Sequence, residues 1–553
     1  MSCLNVYIEQ KLGRVWFQSE TVYFTGCFFV NNKLLKTDDV FEILNNVKSS
    51  DDLQCLLKNI NGFFSFIIKK EDRLYFAVDR VRSIPLFYTV NDDGLFISND
   101  AEAVRKVSKD TELDPISVQE FTANQVTGKD TLFKDVKQVQ AGELIAVCLD
   151  NVKGIVLREY RCFTFTHSER YSVADKDMLR KRMLSAFSAS IDRLISYADG
   201  RQLVLPLSAG YDSRFIALML YKKGVKNVVC FSYGKLGNFE ATTSKQIADI
   251  LGFKWYFIEY TDSLWHNCVQ SNDYIKYLRM ASGWASLPCT QDWPAVYELK
   301  KRNVISSDAI FIPGHVGDSL AGSDVPTAIN SKFSLNTSRF IRNLFICYYN
   351  SLQNLPKDVL KNKIKNKWKV IKKRTLENLN ISFIASPEEY ADAYEKWNWM
   401  ESNPKFIINS VRVYEFWGYD WYLPFLDIEF MEYWKDVPLP LRLGKDFYNK
   451  TVDAFFLETT CADLPTPHSK VRTVNRLRQI ILNRIKYTWL HRFYLFIFQC
   501  MKKSSIEKNN TNCSISRFDS DFVKRYLGYL GGINFLASVK FIHNINKIME
   551  TDL

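Results

Sequence analysis

The sequence predicts an α/β protein of two domains, an antiparallel sheet-rich one followed by a doubly wound parallel sheet with extra helices. Three observations carry this expectation. Short strand patterns separated by tight turns crowd the first 165 residues. Apolar strand-like runs then alternate with helical patterns between 203 and 258. Between the first of those runs and its helix lies a turn of small residues, Ser208, Ala209 and Gly210. Strand–helix alternation builds parallel sheets, and ligands sit at the carboxyl ends of their strands.

In the first domain, 61–68 is strongly strand-forming although it alternates poorly, and 73–80, 83–88 and 95–99 follow as strands. Asp92-Asp93-Gly94 marks a hairpin turn before the last of them. The stretch 175–196 then reads as helical. The branched, apolar run 203–207 is a buried strand, and Phe215 to Leu220 reads as the helix after the turn. A second strand at 228–234, a helix at 244–251 closed by Gly252, and a third strand at 255–258 complete the pattern. The run 309–312 is another strand, leading into a Gly-rich turn at 314–322. Domain limits follow as 1–165, 175–465 and a basic helical extension, 466–553.

At 553 residues the chain suits two or three domains. Its 47% hydrophobic and 24% charged residues are ordinary for a globular protein, while 40 Phe and 28 Tyr imply large cores. The net charge of +12 comes from dispersed lysines and points to no nucleic-acid partner. Twelve cysteines without a C-x-x-C pair suggest neither zinc nor a disulfide framework, and fit reduced core thiols. No signal-peptide pattern opens the chain and no run of eighteen apolar residues occurs, so a cytoplasmic protein is expected. The basic, aromatic stretch from Tyr487 to Cys500 has the character of a helix lying weakly on an anionic membrane surface. A core helix with a solvated basic side is the preferred reading.

The turn Ser208-Ala209-Gly210-Tyr211-Asp212-Ser213 presents backbone N–H groups and two hydroxyls to one anion. It has no lysine and is not the common mononucleotide loop. It resembles the S-G-G-x-D-S loop of the ATP pyrophosphatases (PP-loop enzymes), which split ATP into AMP and pyrophosphate. Upstream, Asn61-Gly62-Phe63-Phe64-Ser65-Phe66, then Asp79-Arg80, then Pro85-Leu86-Phe87-Tyr88 resemble the class II glutamine amidotransferase domain of asparagine synthetases. Gln140-Ala141-Gly142-Glu143-Leu144 resembles the segment that closes it. With both parts, most of the chain resembles the asparagine synthetase family, least from about 465 onward. The resemblance implies an Ntn-hydrolase-like (αββα) first domain and a PP-loop second domain.

It also implies site residues. Leu207, Ser208, Ala209, Gly210, Asp212, Ser213, Tyr233 and Gly314 would hold ATP, and Asp212 with Asp318 would hold Mg²⁺ against the pyrophosphate. In 420–427, resembling the family's R-x-P-F-L-D stretch, Tyr422 stands where the family has Arg. Lys450 best fits the lysine that neutralises the phosphates during adenylation, with Lys445 in reserve. His315 replaces the family's proton-accepting Glu, and Ser319 the last Glu of that segment. An imidazole can accept a proton from an attacking amine, so His315 is a general-base candidate; packing or a ribose contact is the alternative. The segment from Trp284 to Tyr297 is expected to border the acceptor pocket, with no residue assigned.

The departures bear on function. The family's glutaminase nucleophile is a Cys made N-terminal by loss of Met, whereas Ser2 stands here and the thiol is Cys3. The family's Arg-Gly-Pro-Asp glutamine loop is absent. The expectation is an ATP-dependent, AMP-forming amide ligase without its own glutaminase. It would act on a small carboxylate, an amino acid or sugar acid, with ammonia, an amine or a partner glutaminase as nitrogen source, and a homodimer is compatible. An asparagine synthetase using glutamine, a non-catalytic scaffold and a PP-loop tRNA-modifying enzyme are the alternatives.

Overall fold

The computed structural model describes residues 3–10, 13–150, 154–168, 175–325, 329, 336–348, 359–360, 366–462 and 533–551. Ser2, the stretch from Tyr487 to Cys500 and most of the 466–553 extension lie outside these residues.

The N-terminal unit is built on two sheets. The first has the order β1 (Cys3–Tyr7), β9 (Gly94–Ser98), β8 (Phe87–Asn91), β10 (Lys137–Gln138). The second runs β12 (Gly154–Arg161), β11 (Glu143–Asp150), β7 (Arg73–Val78), β6 (Phe64–Lys69), β3 (Val22–Gly26), β2 (Trp16–Gln18). A small hairpin, β4 (Phe29–Val30) with β5 (Lys33–Leu34), stands apart. Strand alternation fails in β6 and β7 because both faces are buried. Phe64, Phe66, Tyr75 and Ala77 face Val40, Leu44, Leu53 and Leu57 of two covering helices. Ile67, Phe76 and Val78 join Tyr88, Leu95 and Ile97 of the other sheet, and the Phe76 and Tyr88 rings lie 5.5 Å apart. Two corrections to the expected strands follow. The first sheet is not wholly antiparallel, since β1 runs parallel to β9. The stretch 83–86 is a turn whose strand begins only at Phe87.

The second unit carries a five-stranded, all-parallel sheet. Its order is β15 (Lys254–Glu259), β14 (Val228–Gly234), β13 (Leu203–Pro206), β16 (Ile310–Phe311), β17 (Asp420–Trp421). The chain winds outward from β13 in one direction, then returns to its other side. The turns after β13 and β16 are therefore neighbours at the switch point. Helix Lys176–Ala198 packs Leu179, Met183, Phe187, Ile191 and Leu194 inward at helical spacing, with Phe187 stacked 4.1 Å from Phe215. Helix Tyr211–Lys222 starts four residues before the apolar run at Phe215, so Asp212 and Ser213 sit in its first turn. Helix Phe239–Leu251 ends on Gly252 at φ +69°, where a glycine is strain-free.

Polar contacts bind the units together. Asp427 accepts both forks of Arg193 at 2.6 and 2.7 Å and the Asn61 amide at 2.9 Å. Lys405, wholly buried, spends its three ammonium protons on the carbonyls of Val126 and Gly128 and on Glu401 at 2.6–2.9 Å. Segment 284–287 pairs by backbone with 124–132 of the first unit. Trp284 is a core residue there, its indole donating to Glu102. The helices Ile533–His543 and Ile545–Glu550 cover this seam, with Phe541 5.1 Å from Phe121 and 6.2 Å from Trp284. Among the described residues no helix is long and apolar enough to cross a membrane, and eight described cysteines are free thiols.

Breaking a buried pair strands its partner charge. Lys405→Met is therefore expected to lower stability by about 3 kcal/mol in thermal or denaturant unfolding. Buried Glu120 faces Arg374 at 3.3 Å, yet burial pushes its carboxyl up to about 7. The folded state thus holds this proton more tightly than the unfolded chain, whose glutamates titrate near about 4.3. Its contribution is complete below that value and is lost as pH rises towards 7. Glu120→Gln should flatten the stability profile between pH 4.5 and 7 by an amount of order 2 kcal/mol, read from Tm against pH.

Candidate functional site

The turn after β13 is tied to itself. The Ser208 backbone N–H donates to Ser213 Oγ at 3.1 Å, the two hydroxyls meet at 3.2 Å, and the Gly210 N–H donates to Ser208 Oγ at 3.1 Å. The Leu207 N–H continues the ladder to the Phe231 carbonyl, and Arg214 reaches back to the Ala209 carbonyl at 3.0 Å. These bonds hold the loop open over the first turn of the Tyr211–Lys222 helix, whose N–H groups and dipole favour an anion.

The turn after β16 presses directly on it. A Cβ at Gly314 would lie 2.8 Å from the Ser213 nitrogen, and one at Gly317 would lie 2.8–3.0 Å from the Asp212 carboxylate. Only glycine admits this approach. As a result the Asp318 N–H donates to Asp212 Oδ2 at 2.9 Å, and the Tyr448 hydroxyl donates to Asp212 Oδ1 at 2.8 Å. Lys445 Nζ reaches Asp318 Oδ2 at 3.0 Å. Burial, then the charge of Asp318, raise the Asp212 pKa against the opposing pull of Tyr448, the Asp318 N–H and Lys445. Among the described residues Lys445 is the one ammonium at this carboxylate pair, which is thus short of positive charge, and hard oxygen ligands of this kind suit Mg²⁺.

Lys450 does not join this group. It lies two residues beyond Tyr448 on helix Asp446–Thr460, hence on another face, and lines a cleft of about 400 Å³ with Lys176 and Arg180. Lys445 is the lysine brought to the acidic pair, from a left-handed residue (φ +63°) just before the helix. The Tyr233 hydroxyl is already bonded to Asp292 at 2.5 Å and its ring is stacked on Tyr260 at 4.8 Å. Tyr414 donates to the other Asp292 oxygen at 2.8 Å. His315 is half-buried, and its Nε2 lies 2.7 Å from Ser410 Oγ, whose own proton goes to the Ile407 carbonyl at 2.7 Å. That arrangement puts the imidazole proton on Nε2 and leaves Nδ1 an acceptor. Burial lowers the His315 pKa, with Asp292 opposing, so the ring is neutral at pH 7. Asp324, behind Ser319, is pushed up to about 6 by burial.

Tyr448, Gly317, Ser410 and Asp292 were not legible as site residues. Tyr448 had a signal, its place one helical turn after the Gly444-Lys445 turn. Ser410 had none, because nothing in sequence relates it to His315.

Comparison with known proteins bears on the N-terminal unit and on part of the chain's length. Residues 32–160 match the glutamine amidotransferase domain family. "Asparagine synthetase [glutamine-hydrolyzing] 1" of Bacillus subtilis (strain 168) is 26% identical over 200 residues, covering 35% of this chain and 30% of that protein. The match thus spans less than a third of that relative's length. A glutamine phosphoribosylpyrophosphate amidotransferase from B. subtilis, complexed with ADP and GMP, aligns at 9% identity over 54% of this chain and 63% of its own, with a TM-score of 0.19. A second solved structure, of the allosteric regulatory enzyme of purine biosynthesis, aligns at 10% identity over 54% of this chain and 56% of its own, with a TM-score of 0.18. Scores this low carry nothing about fold or chemistry. Residues 32–160 thus match a glutamine amidotransferase domain, and part of the chain is similar to an asparagine synthetase.

Proposed function

We propose that the second unit is a PP-loop ligase domain that activates a carboxylate with ATP, releases pyrophosphate and passes the acyl group to ammonia or an amine. The observation that carries this reading is the meeting of Asp212, Asp318 and Lys445 at the switch point, beside a lysine-free loop of small residues. The loop N–H groups and the hydroxyls of Ser208 and Ser213 would bind the two outer phosphates as one leaving group. Lys445, in the role first expected of Lys450, would place a fixed cation where charge grows in the transition state. Asp212 and Asp318 would hold Mg²⁺, which supplies charge neutralisation there. Leu207, Tyr233 and Gly314 would wall the nucleoside. Neutral His315, with Nδ1 free to accept, would take the proton of the attacking amine.

The N-terminal unit is proposed to be non-hydrolytic, on the missing Arg-Gly-Pro-Asp glutamine loop. Nitrogen would then come from free ammonia, a partner glutaminase or a substrate amine. The domain match over 32–160 favours the second reading, a glutamine-using synthetase. Isotope-labelled glutamine separates the two: label in the product, with glutamate released in step, establishes the second.

Incubation with ATP, Mg²⁺, ammonium and a pool of amino and sugar acids should yield AMP and pyrophosphate; accumulation of ADP would overturn the reading. Asp318→Asn and Lys445→Met should each lower pyrophosphate release by about 10²-fold or more, while Lys450→Met changes it less than about threefold. The Lys445–Asp318 pair is substantially exposed, so Lys445→Met should shift stability by less than about 1 kcal/mol, separating its chemical role from folding. His315→Asn should retain carboxylate-dependent ATP–pyrophosphate exchange and lose amide formation.

A further inference from the structure

Away from this site, a polar cavity of about 30 Å³ lies in the seam between the units, lined among others by Arg14, Arg82, Asn99, Asn409, Arg412 and Glu415. The three arginines are 6%, 4% and 6% exposed. Two are compensated. Arg14 pairs with Asp420 at 2.9 Å and lies 4.2 Å over the Trp421 ring. Arg412 pairs with Glu415 at 2.6 Å and donates to the Ser83 carbonyl.

Arg82 is different. Its Nε donates to the Val139 carbonyl at 3.0 Å, and among the described residues Nη1 and Nη2 have no hydrogen-bond partner and no carboxylate within 4 Å. The surrounding acids are committed. Asp79 accepts from the backbone of Phe64, Val81 and Ser83 and from the Ser83 hydroxyl. Asp100 caps the helix that begins at Ala101, through Glu102 and Ala103. Glu415 is shared by Arg412 and the Trp421 indole. Arg82 also sits in a left-handed backbone conformation at φ +53°. A non-glycine residue held there stores strain that the surroundings must offset. Burial and the neighbouring charge of Arg412 lower its pKa to about 9, which still leaves it charged at pH 7. Among the described residues its charge is met only at longer range, by Glu401 and Asp79 and by the Phe87 ring 5.7 Å away.

We propose that this cavity binds one small monovalent anion on the Nη1 and Nη2 groups of Arg82, and that the anion fastens the two units together. A cavity of this size exceeds the space of about 10–15 Å³ that one water needs. It suits a halide, a nitrate or a formate-sized carboxylate, and excludes anything much larger. The guanidinium fork presents two parallel donors to such a group. None of these residues belongs to the proposed ATP site, so either proposal can fail without the other.

The test uses the full chain at constant ionic strength, with sodium gluconate replaced stepwise by sodium chloride, bromide, nitrate or formate. A saturable rise in Tm of about 1–3 °C with the small anions is expected, and its loss in Arg82→Gln. Crystals grown with sodium bromide should show an anomalous peak beside Arg82 Nη1 and Nη2, a readout that stands if Arg82→Gln fails to fold. The proposal is overturned if gluconate acts as well as chloride, if Arg82→Gln keeps the full response, or if the bromide crystals show only water in the cavity.

Discussion

Everything at the candidate site depends on the contact between two turns that leaves no room for a methyl group. Gly314 and Gly317 let the turn after β16 lie against the first turn of the Tyr211–Lys222 helix. That contact forces Asp212 and Asp318 into one hydrogen-bonded pair. Two carboxylates at this spacing repel, and burial sharpens the repulsion. The fold answers with donors from a distant element, Tyr448 and Lys445, both set by the turn that opens helix Asp446–Thr460. Any side chain at 317 would separate the pair before it altered a single ligand atom.

The order of strands makes this contact available. Because β13 and β16 are neighbours while β14 and β15 lie to one side, the crevice opens between their following turns. Long excursions leave the sheet after β15 and β16 and return Ser410, Asp292 and Tyr414 to its carboxyl edge. His315 takes its tautomer from one of these, so the chemistry at the switch point rests on residues nearly a hundred positions away.

The N-terminal unit is fastened to this sheet by polar groups set among apolar packing such as Phe63 against Tyr422. Asn61, inside the motif that identifies the amidotransferase-like domain, hydrogen-bonds to Asp427, which in turn holds Arg193 of the core helix. Lys405 and Glu401 penetrate the first unit's loop at 126–128. Such pairs add little net stability over apolar packing, but they penalise every misaligned arrangement by stranding a charge.

Much of the architecture was legible in local pattern. Strand runs at 203–206 and 228–234, the Gly252 helix stop and the small-residue turn at 208–213 all follow from short-range backbone preferences and burial period. Three features resisted that reading. Glu401 and Lys405, four apart, look like an ordinary surface pair, and only packing shows them buried. Sequence favours Lys450 over Lys445, but the phase of one helix together with one left-handed residue brings Lys445 to Asp318. Arg82 is one basic residue among 73 until the seam closes around it. The sequence by itself determined which segments become strands, helices and anion-friendly turns, because those choices are made over a few residues. The tertiary structure alone decided which charges meet, because that depends on strand order and helix phase summed over hundreds of residues.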